Sequence, residues 1–224
     1  MSYCSVQTEK GTNMPKDLII AGAGGCGREV LQWVKDINKI EHRWNILGFI
    51  NDIEDALDAY ECDYSIIGKI EDWQPQDGQE FICAIGDPSG KELVIKRLKE
   101  RGAVFTSVIH PTAYISEFTE MGEGLIMYPG SGINVNTKVG NFVTILSGGL
   151  GHDVEIGDYC TISSYCDIAG GAKLGKKVFL GSHVTVVPHK TIGDEVFAAA
   201  GSVIISNIKS GYHVMGNPAK RMEF

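Results

Sequence analysis

Residues 155–180 read EIGDYCTISSYCDIAGGAKLGKKVFL, and Ile156, Ile162, Ile168, Leu174 and Leu180 stand six apart. A period of six matches neither the 3.6 of a helix nor the 2.0 of an alternating strand. Toward the C-terminus the series continues through Val186, Ile192, Ala198 and Ile204. Toward the N-terminus it crosses one five-residue step, from Leu150 to Ile145, then runs back through Val139, Ile133, Met127, Met121 and Ile115. A small residue often follows the anchor (Gly157, Ser163, Ala169, Gly175), and a second small or apolar residue stands four places past it (Cys160, Cys166, Ala172, Val178). Sustained repetition of this kind means stacked solenoid coils. Cys160 and Cys166 fill equivalent inward slots and read as core.

Upstream of Pro111 the pattern is different. Residues 17–22, DLIIAG, form a short apolar run ending in glycine, as a buried parallel strand does. Gly22, Gly24 and Gly27 then satisfy G-x-G-x-x-G ahead of a helical pattern over Arg28–Ile37, with Val30, Leu31, Val34 and Ile37 on one face. Amides at such a helix start can hold phosphate, although the motif alone also serves as a plain tight turn. A second strand is expected over Trp44–Ile50, ending in Asn51-Asp52 where a ribose is met in such folds. Further strands are expected at Tyr64–Ile67 and Phe81–Ile85, a helix over Ser89–Arg101, and a closing strand over Val104–Ile109. This length supplies one mononucleotide half rather than the two of a dinucleotide fold. The organisation expected is therefore a flexible segment over residues 1–16, a Rossmann-like α/β domain over 17–109 and a parallel β-solenoid over 110–224.

The net charge of −8 carries no lysine or arginine cluster, which argues against nucleic acid as a partner. No apolar run is long enough to span a bilayer, and residues 1–16 lack the apolar stretch of a signal peptide. The chain reads as cytoplasmic, with its six cysteines reduced; none shows CxxC spacing, so no zinc site is expected.

Several stretches resemble the NeuD/PglD-type sugar acyltransferases: Gly22 to Val30 (GAGGCGREV), Gly48 to Asp52 (GFIND), Ala84 to Pro88 (AIGDP), Val108 to Thr112 (VIHPT), Gly151-His152-Asp153 and the closing Gly216 to Lys220 (GNPAK). The resemblance covers nearly the whole chain from Asp17 onward. It implies a left-handed β-helix with three hexads per coil, a homotrimer with sites between adjacent helices, and acetyl-CoA as donor. It also implies a sugar or nucleotide-sugar acceptor of surface glycan synthesis.

Acyl transfer from a thioester needs a base for the acceptor's proton and a donor for the developing oxyanion. His152 with Asp153 is the candidate pair, since imidazole titrates near working pH and a carboxylate can orient it. On spacing alone a turn histidine with a solvated neighbour fits as well. The resemblance adds that relatives place a catalytic His followed by an acidic residue, usually Glu, at this position. With three hexads per coil, a residue eighteen further on lies one strand spacing away, and that residue is Gly170. It has no side chain to cover its amide, and it falls where the family's oxyanion-donating glycine stands.

By the same resemblance, coenzyme contacts fall on Thr161, Gly170, Ser182 and Ala200, with Thr161 replacing the His that some members carry. Acceptor contacts fall on Cys26, Gly27, Arg28, Asn51, Asp52 and Gly86, with Cys26 in a place often held by His or Phe. No cysteine or serine beside His152 offers a covalent relay, which favours direct transfer. The spacing of His152, His183 and His189 does not demand a shared metal, and no metal is expected. Two other functions fit the sequence: acetylation of a different acceptor, such as sialic acid or an amino acid, and a non-catalytic trimeric scaffold.

Overall fold

The computed structural model describes residues 14–222, so the segment expected to be flexible lies outside the description through residue 13. The N-terminal unit contains β1 (Lys16–Ala21), α1 (Gly25–Ile40), β2 (Trp44–Ile50), β3 (Ile66–Gly68), β4 (Gln79–Cys83), α2 (Pro88–Glu100) and β5 (Val104–Phe105). These strands form one parallel sheet in the order β3-β2-β1-β4-β5. The chain leaves β1 through Gly22, whose φ of +105° suits glycine. Helix α1 then packs so closely that a Cβ on Gly27 would collide with the Gly22 carbonyl oxygen. Helix α2 starts at Pro88, a position where the missing N–H costs nothing, and Asp87 caps it by accepting from the Gly90 N–H at 2.6 Å.

From Val108 the chain winds into coils whose two-residue strands build three parallel sheets. The eight-stranded sheet runs from Val108–Ile109 to Lys220–Arg221, the six-stranded from Tyr114–Ile115 to Val203–Ile204, and the third, with five strands, from Glu120–Met121 to Thr191–Ile192. The hexad anchors point inward except at Met121, which is exposed: Ile133, Ile145, Leu150, Ile168, Leu180, Val186 and Ile204 are fully buried. Cys160 and Cys166 lie in the same apolar column, and each thiol donates to a neighbouring carbonyl, of Gly175 and Gly181 respectively, at 3.1 Å.

Beyond the five-residue step, successive coils pair at a spacing of eighteen, as in Thr161↔Phe179 and Asp167↔Thr185, until the last coil, where Phe197↔His213 and Ile192↔Ile208 are sixteen apart. Across the step the pairing is seventeen, as in Gly132↔Gly149 and Thr144↔Thr161. The shortened corner passes beside the backbone of Cys166, where a Cβ on Gly148 would meet that carbonyl oxygen at 2.9 Å. Among the described residues, ten non-glycine residues hold φ between 56° and 62°, all at solenoid corners, so a corner fixes its own backbone whatever residue stands there.

The N-terminal unit packs on the eight-stranded face. Val108, Ile126 and Tyr128 share an apolar cluster with Leu18, Ile20, Val30 and Val34, while Phe142 joins Phe81, Ile95 and Phe105. The single closing strand expected over Val104–Ile109 is divided. Val104–Phe105 pairs with β4, and Val108–Ile109 pairs with Ile126–Met127 of the solenoid. Thr106 and Ser107 make the crossing: the Thr106 N–H donates to Phe81 O, and Ser107 Oγ accepts from the Leu125 N–H. At the far end Lys220–Arg221 turns back and pairs antiparallel with His213–Met215. No helix among the described residues is long and apolar enough to cross a membrane.

Because Ile168 is buried in a stacked column that cannot collapse without moving its neighbours, Ile168→Ala should destabilise the chain by about 3 kcal/mol. The readout is a lower urea midpoint at unchanged slope, and a midpoint equal to wild type would contradict the stacked column.

Candidate active site

His152 and Asp153 occupy the corner between the six-stranded sheet and the five-stranded solenoid sheet, directly after Gly149–Leu150. Asp153 takes the corner's left-handed position with φ +58°, which sets its carboxylate beside the preceding side chain. His152 Nδ1 lies 2.7 Å from Asp153 Oδ2, and both side chains are more than half exposed. Hydrogen bonds from His152 and then Asn136 hold the Asp153 carboxyl below the usual carboxylate range, and His189 adds a smaller electrostatic effect. With that carboxylate ionised, the proton of a neutral imidazole is on Nδ1 and the Nε2 lone pair is open.

One coil further on, the imidazole lies against Gly170. A Cβ there would stand 2.5 Å from His152 Nε2, so only glycine leaves room for the ring in this position. The Gly170 carbonyl accepts from the His189 N–H at 3.1 Å, and the next amide, of Gly171, donates to His152 O at 2.9 Å. The Gly170 N–H itself has no acceptor among the described residues. A base and an uncommitted amide thus stand together on adjacent coils. His189 belongs to this same corner two coils from His152, its ring against Gly171, whereas His183 stacks on Tyr165 at another corner. No group of three His, Cys, Asp or Glu among the described residues could hold a metal ion.

Ser182 and Ala200 lie one coil apart at the corner between the eight- and six-stranded sheets, linked by the Gly201 N–H donating to Ser182 O at 2.8 Å. That is not the corner of His152, so within one chain these residues do not converge on the base. Thr161 departs from the sequence expectation. It lies in a strand of the eight-stranded sheet, 3% exposed, with Oγ1 donating to Gly86 O at 2.7 Å and accepting from Lys91 Nζ at 2.9 Å. A hydroxyl enclosed between two parts of the fold is out of a coenzyme's reach.

The N-terminal candidates divide likewise. The Gly22–Gly27 loop, Asn51 and Gly86 gather at the carboxyl edge of the parallel sheet, where Asn51 Oδ1 accepts from the Ala23 N–H at 3.2 Å. A side chain on Gly86 would meet nothing within 4 Å, so the space above it is open. Asp52 accepts from the Glu71 N–H at 3.0 Å. Tyr128 Oη donates its one proton to Glu29 at 2.9 Å and lies 3.5 Å from Cys26 Sγ, and burial raises the Cys26 thiol pKa. Arg28 instead lays its guanidinium 3.5 Å over the Tyr60 ring, along a cavity of about 650 Å³ that Gln32, Lys35 and Asp63 also line.

Sequence reasoning missed Asn136 and Lys91. Asn136 was within reach, since it precedes Asp153 by the seventeen residues that the five-residue step dictates. Lys91 gave no signal, because a lysine in an amphipathic helix reads as solvent-facing.

Residues 17–98 match the PglD N-terminal domain family. Serine acetyltransferase 2 of Arabidopsis thaliana is 33% identical over 136 residues, 58% of this chain and 37% of the relative. GDP-perosamine N-acetyltransferase of Escherichia coli O157:H7 is 27% identical over 149 residues, 64% of this chain and 67% of the relative. The chain thus spans between about a third and two thirds of these curated relatives. A solved structure of PerB from Caulobacter crescentus, in complex with CoA and GDP-perosamine, superposes with a TM-score of 0.83 at 23% identity. That match covers 92% of this chain and 97% of PerB, and it shows a shared fold.

The packing of His152 on Gly170 makes its own prediction. A Gly170→Ala substitution should displace the imidazole and carry Nδ1 beyond about 3.5 Å from the Asp153 carboxylate. A crystal structure of the variant with ring and hydrogen bond unmoved would refute the close packing.

Proposed function

We propose that this chain, whose residues 17–98 match the PglD N-terminal domain family, is a NeuD/PglD-type, acetyl-CoA-dependent N- or O-acetyltransferase acting on a nucleotide-linked amino sugar of surface glycan synthesis. The observation that carries this reading is the imidazole lying against Gly170, braced on its other nitrogen by Asp153 at 2.7 Å. In the proposed reaction the acceptor's amine or hydroxyl gives its proton to His152 Nε2 and attacks the thioester carbonyl. The Gly170 N–H donates to the oxyanion of the tetrahedral intermediate. The C–S bond then breaks, and the proton passes from the imidazolium to the departing thiolate of CoA. Asp153 keeps the imidazole in the required tautomer and supports its transient charge.

Ser182 and Ala200 are proposed to line the coenzyme path, and Cys26, Gly27, Asn51, Asp52 and Gly86 the acceptor cleft of a Rossmann-like half over residues 17–109. Thr161 is left out of the coenzyme path because it is enclosed. The separation of Ser182 and Ala200 from the His152 corner supports a homotrimer, in which a neighbour's corner brings coenzyme to this chain's base. The left hand of the coil over residues 110–224 and a cytoplasmic setting belong to the same proposal.

His152→Ala should lower acetyl transfer at least about a hundredfold while the far-ultraviolet dichroism and melting profile stay as in wild type. The measurement is thiol release from acetyl-CoA against a panel of aminosugar nucleotides, sialic acids and amino acids. Near-normal turnover in the variant would end the assignment of the base. A wild type that turns over only sialic or amino acids would redirect the acceptor class, and one that turns over nothing would favour a scaffold.

A further inference from the structure

Helix α2 sends a lysine into the fold. Lys91 is fully buried, and its Nζ donates to Thr144 Oγ1 at 3.0 Å, Cys160 O at 3.2 Å and Thr161 Oγ1 at 2.9 Å. All three acceptors are uncharged, and all three belong to the solenoid. Buried lysines are rare unless an anion accompanies them, because an ammonium loses much of its hydration energy in a low-dielectric interior. The titratable groups that influence this one are Cys83 at the end of β4, Cys26 on α1, Cys160 in the solenoid and Asp87 at the start of α2. Burial pushes the Cys83 and Cys160 thiols up to about 12 and raises Cys26 as well, so none of them is an anion at neutral pH. Asp87 is engaged with the Gly90 N–H at 2.6 Å. Burial also pushes Lys91 itself down to about 8, and the three acceptors gathered around Nζ match the three N–H donors of an ammonium.

The position of this charge gives it meaning. The Thr161 hydroxyl that accepts from Lys91 donates in turn to Gly86 O at 2.7 Å. A single hydroxyl therefore separates the ammonium from the loop that follows β4. That loop packs on the glycine turn, since a Cβ on Gly22 would stand 3.0 Å from Ala84 O. The charge lies beneath the edge where the Gly22–Gly27 loop and Gly86 meet.

We infer that Lys91 is a positioning residue for the acceptor: it pins the Gly86 loop to the solenoid through Thr161 and leaves beneath the cleft a positive charge that the diphosphate of a nucleotide-linked acceptor neutralises. This rests on the acceptor reading given above. Its signature is proton linkage, with an anionic ligand binding more weakly as pH rises past the point where the ammonium loses its proton.

The test is calorimetric titration of the full chain with UDP and with GDP from pH 6.5 to 9.5, for wild type, Lys91→Met and the double variant Lys91→Met/Thr161→Val. Hydrogen exchange over residues 84–90 is followed in parallel. In wild type, affinity for the preferred nucleotide should fall as pH passes about 8. In Lys91→Met it should be roughly tenfold weaker at neutral pH, without that limb, and residues 84–90 should exchange faster. The double variant removes the hydroxyl stranded by the first substitution, so it keeps a folded reference should the single variant be unstable; it too should bind weakly. Wild-type affinity in either variant, a persisting limb near pH 8, or unchanged exchange over 84–90 overturns the inference. So does a wild type that binds neither nucleotide, and in that case the thiol-release assay of His152→Ala still decides acetyl transfer separately.

Discussion

Everything in the C-terminal half depends on the parallel pairing of two-residue strands from one coil to the next. Each such strand contributes very little area, yet each amide that pairs also fixes the register of the coil above. The apolar anchors then stack on their own kind, Ile162 under Leu180 and Ile168 under Val186, in one continuous column. Stability in such an array is a sum of neighbour contacts rather than of one central core. The corners can consequently carry residues chosen for chemistry. A corner that holds φ near +58° at Asp153 does so because the coils on either side demand it, and not because aspartate prefers it.

The arrangement around His152 follows from that register. The imidazole has a carboxylate on one side and a residue without a side chain on the other, and neither neighbour is adjacent by accident of folding. One is next in sequence, and the other is one coil away by the repeat. The Asn136 contribution to Asp153 comes from the coil beneath. Three consecutive coils therefore each supply one component, and a change in repeat length between any two would separate them.

The sequence disclosed what is periodic and concealed what is particular. The hexads, the five-residue step, the glycine turn, β2 and both helices were legible because each is dictated by a local pattern or a steric demand. Gly170 was legible for the same reason, since repeat arithmetic delivers it. The fate of Thr161 was not legible, because its burial depends on which solenoid face receives α2. Lys91 was hidden by the same dependence, since helical periodicity shows a polar residue without showing what packs against it. The division of Val104–Ile109 was also beyond pattern reading, because both halves are apolar strand and only their partners differ.

The antiparallel return of Lys220–Arg221 against His213–Met215 has a consequence for how the molecule behaves in company. A stack of parallel strands is open-ended in principle, and its last rung offers amides and carbonyls to any extended peptide that drifts alongside. Reversing the final strand places a short, doubly cationic segment over that rung on the broadest sheet. A cationic edge of this kind is a poor template for pairing with a further strand.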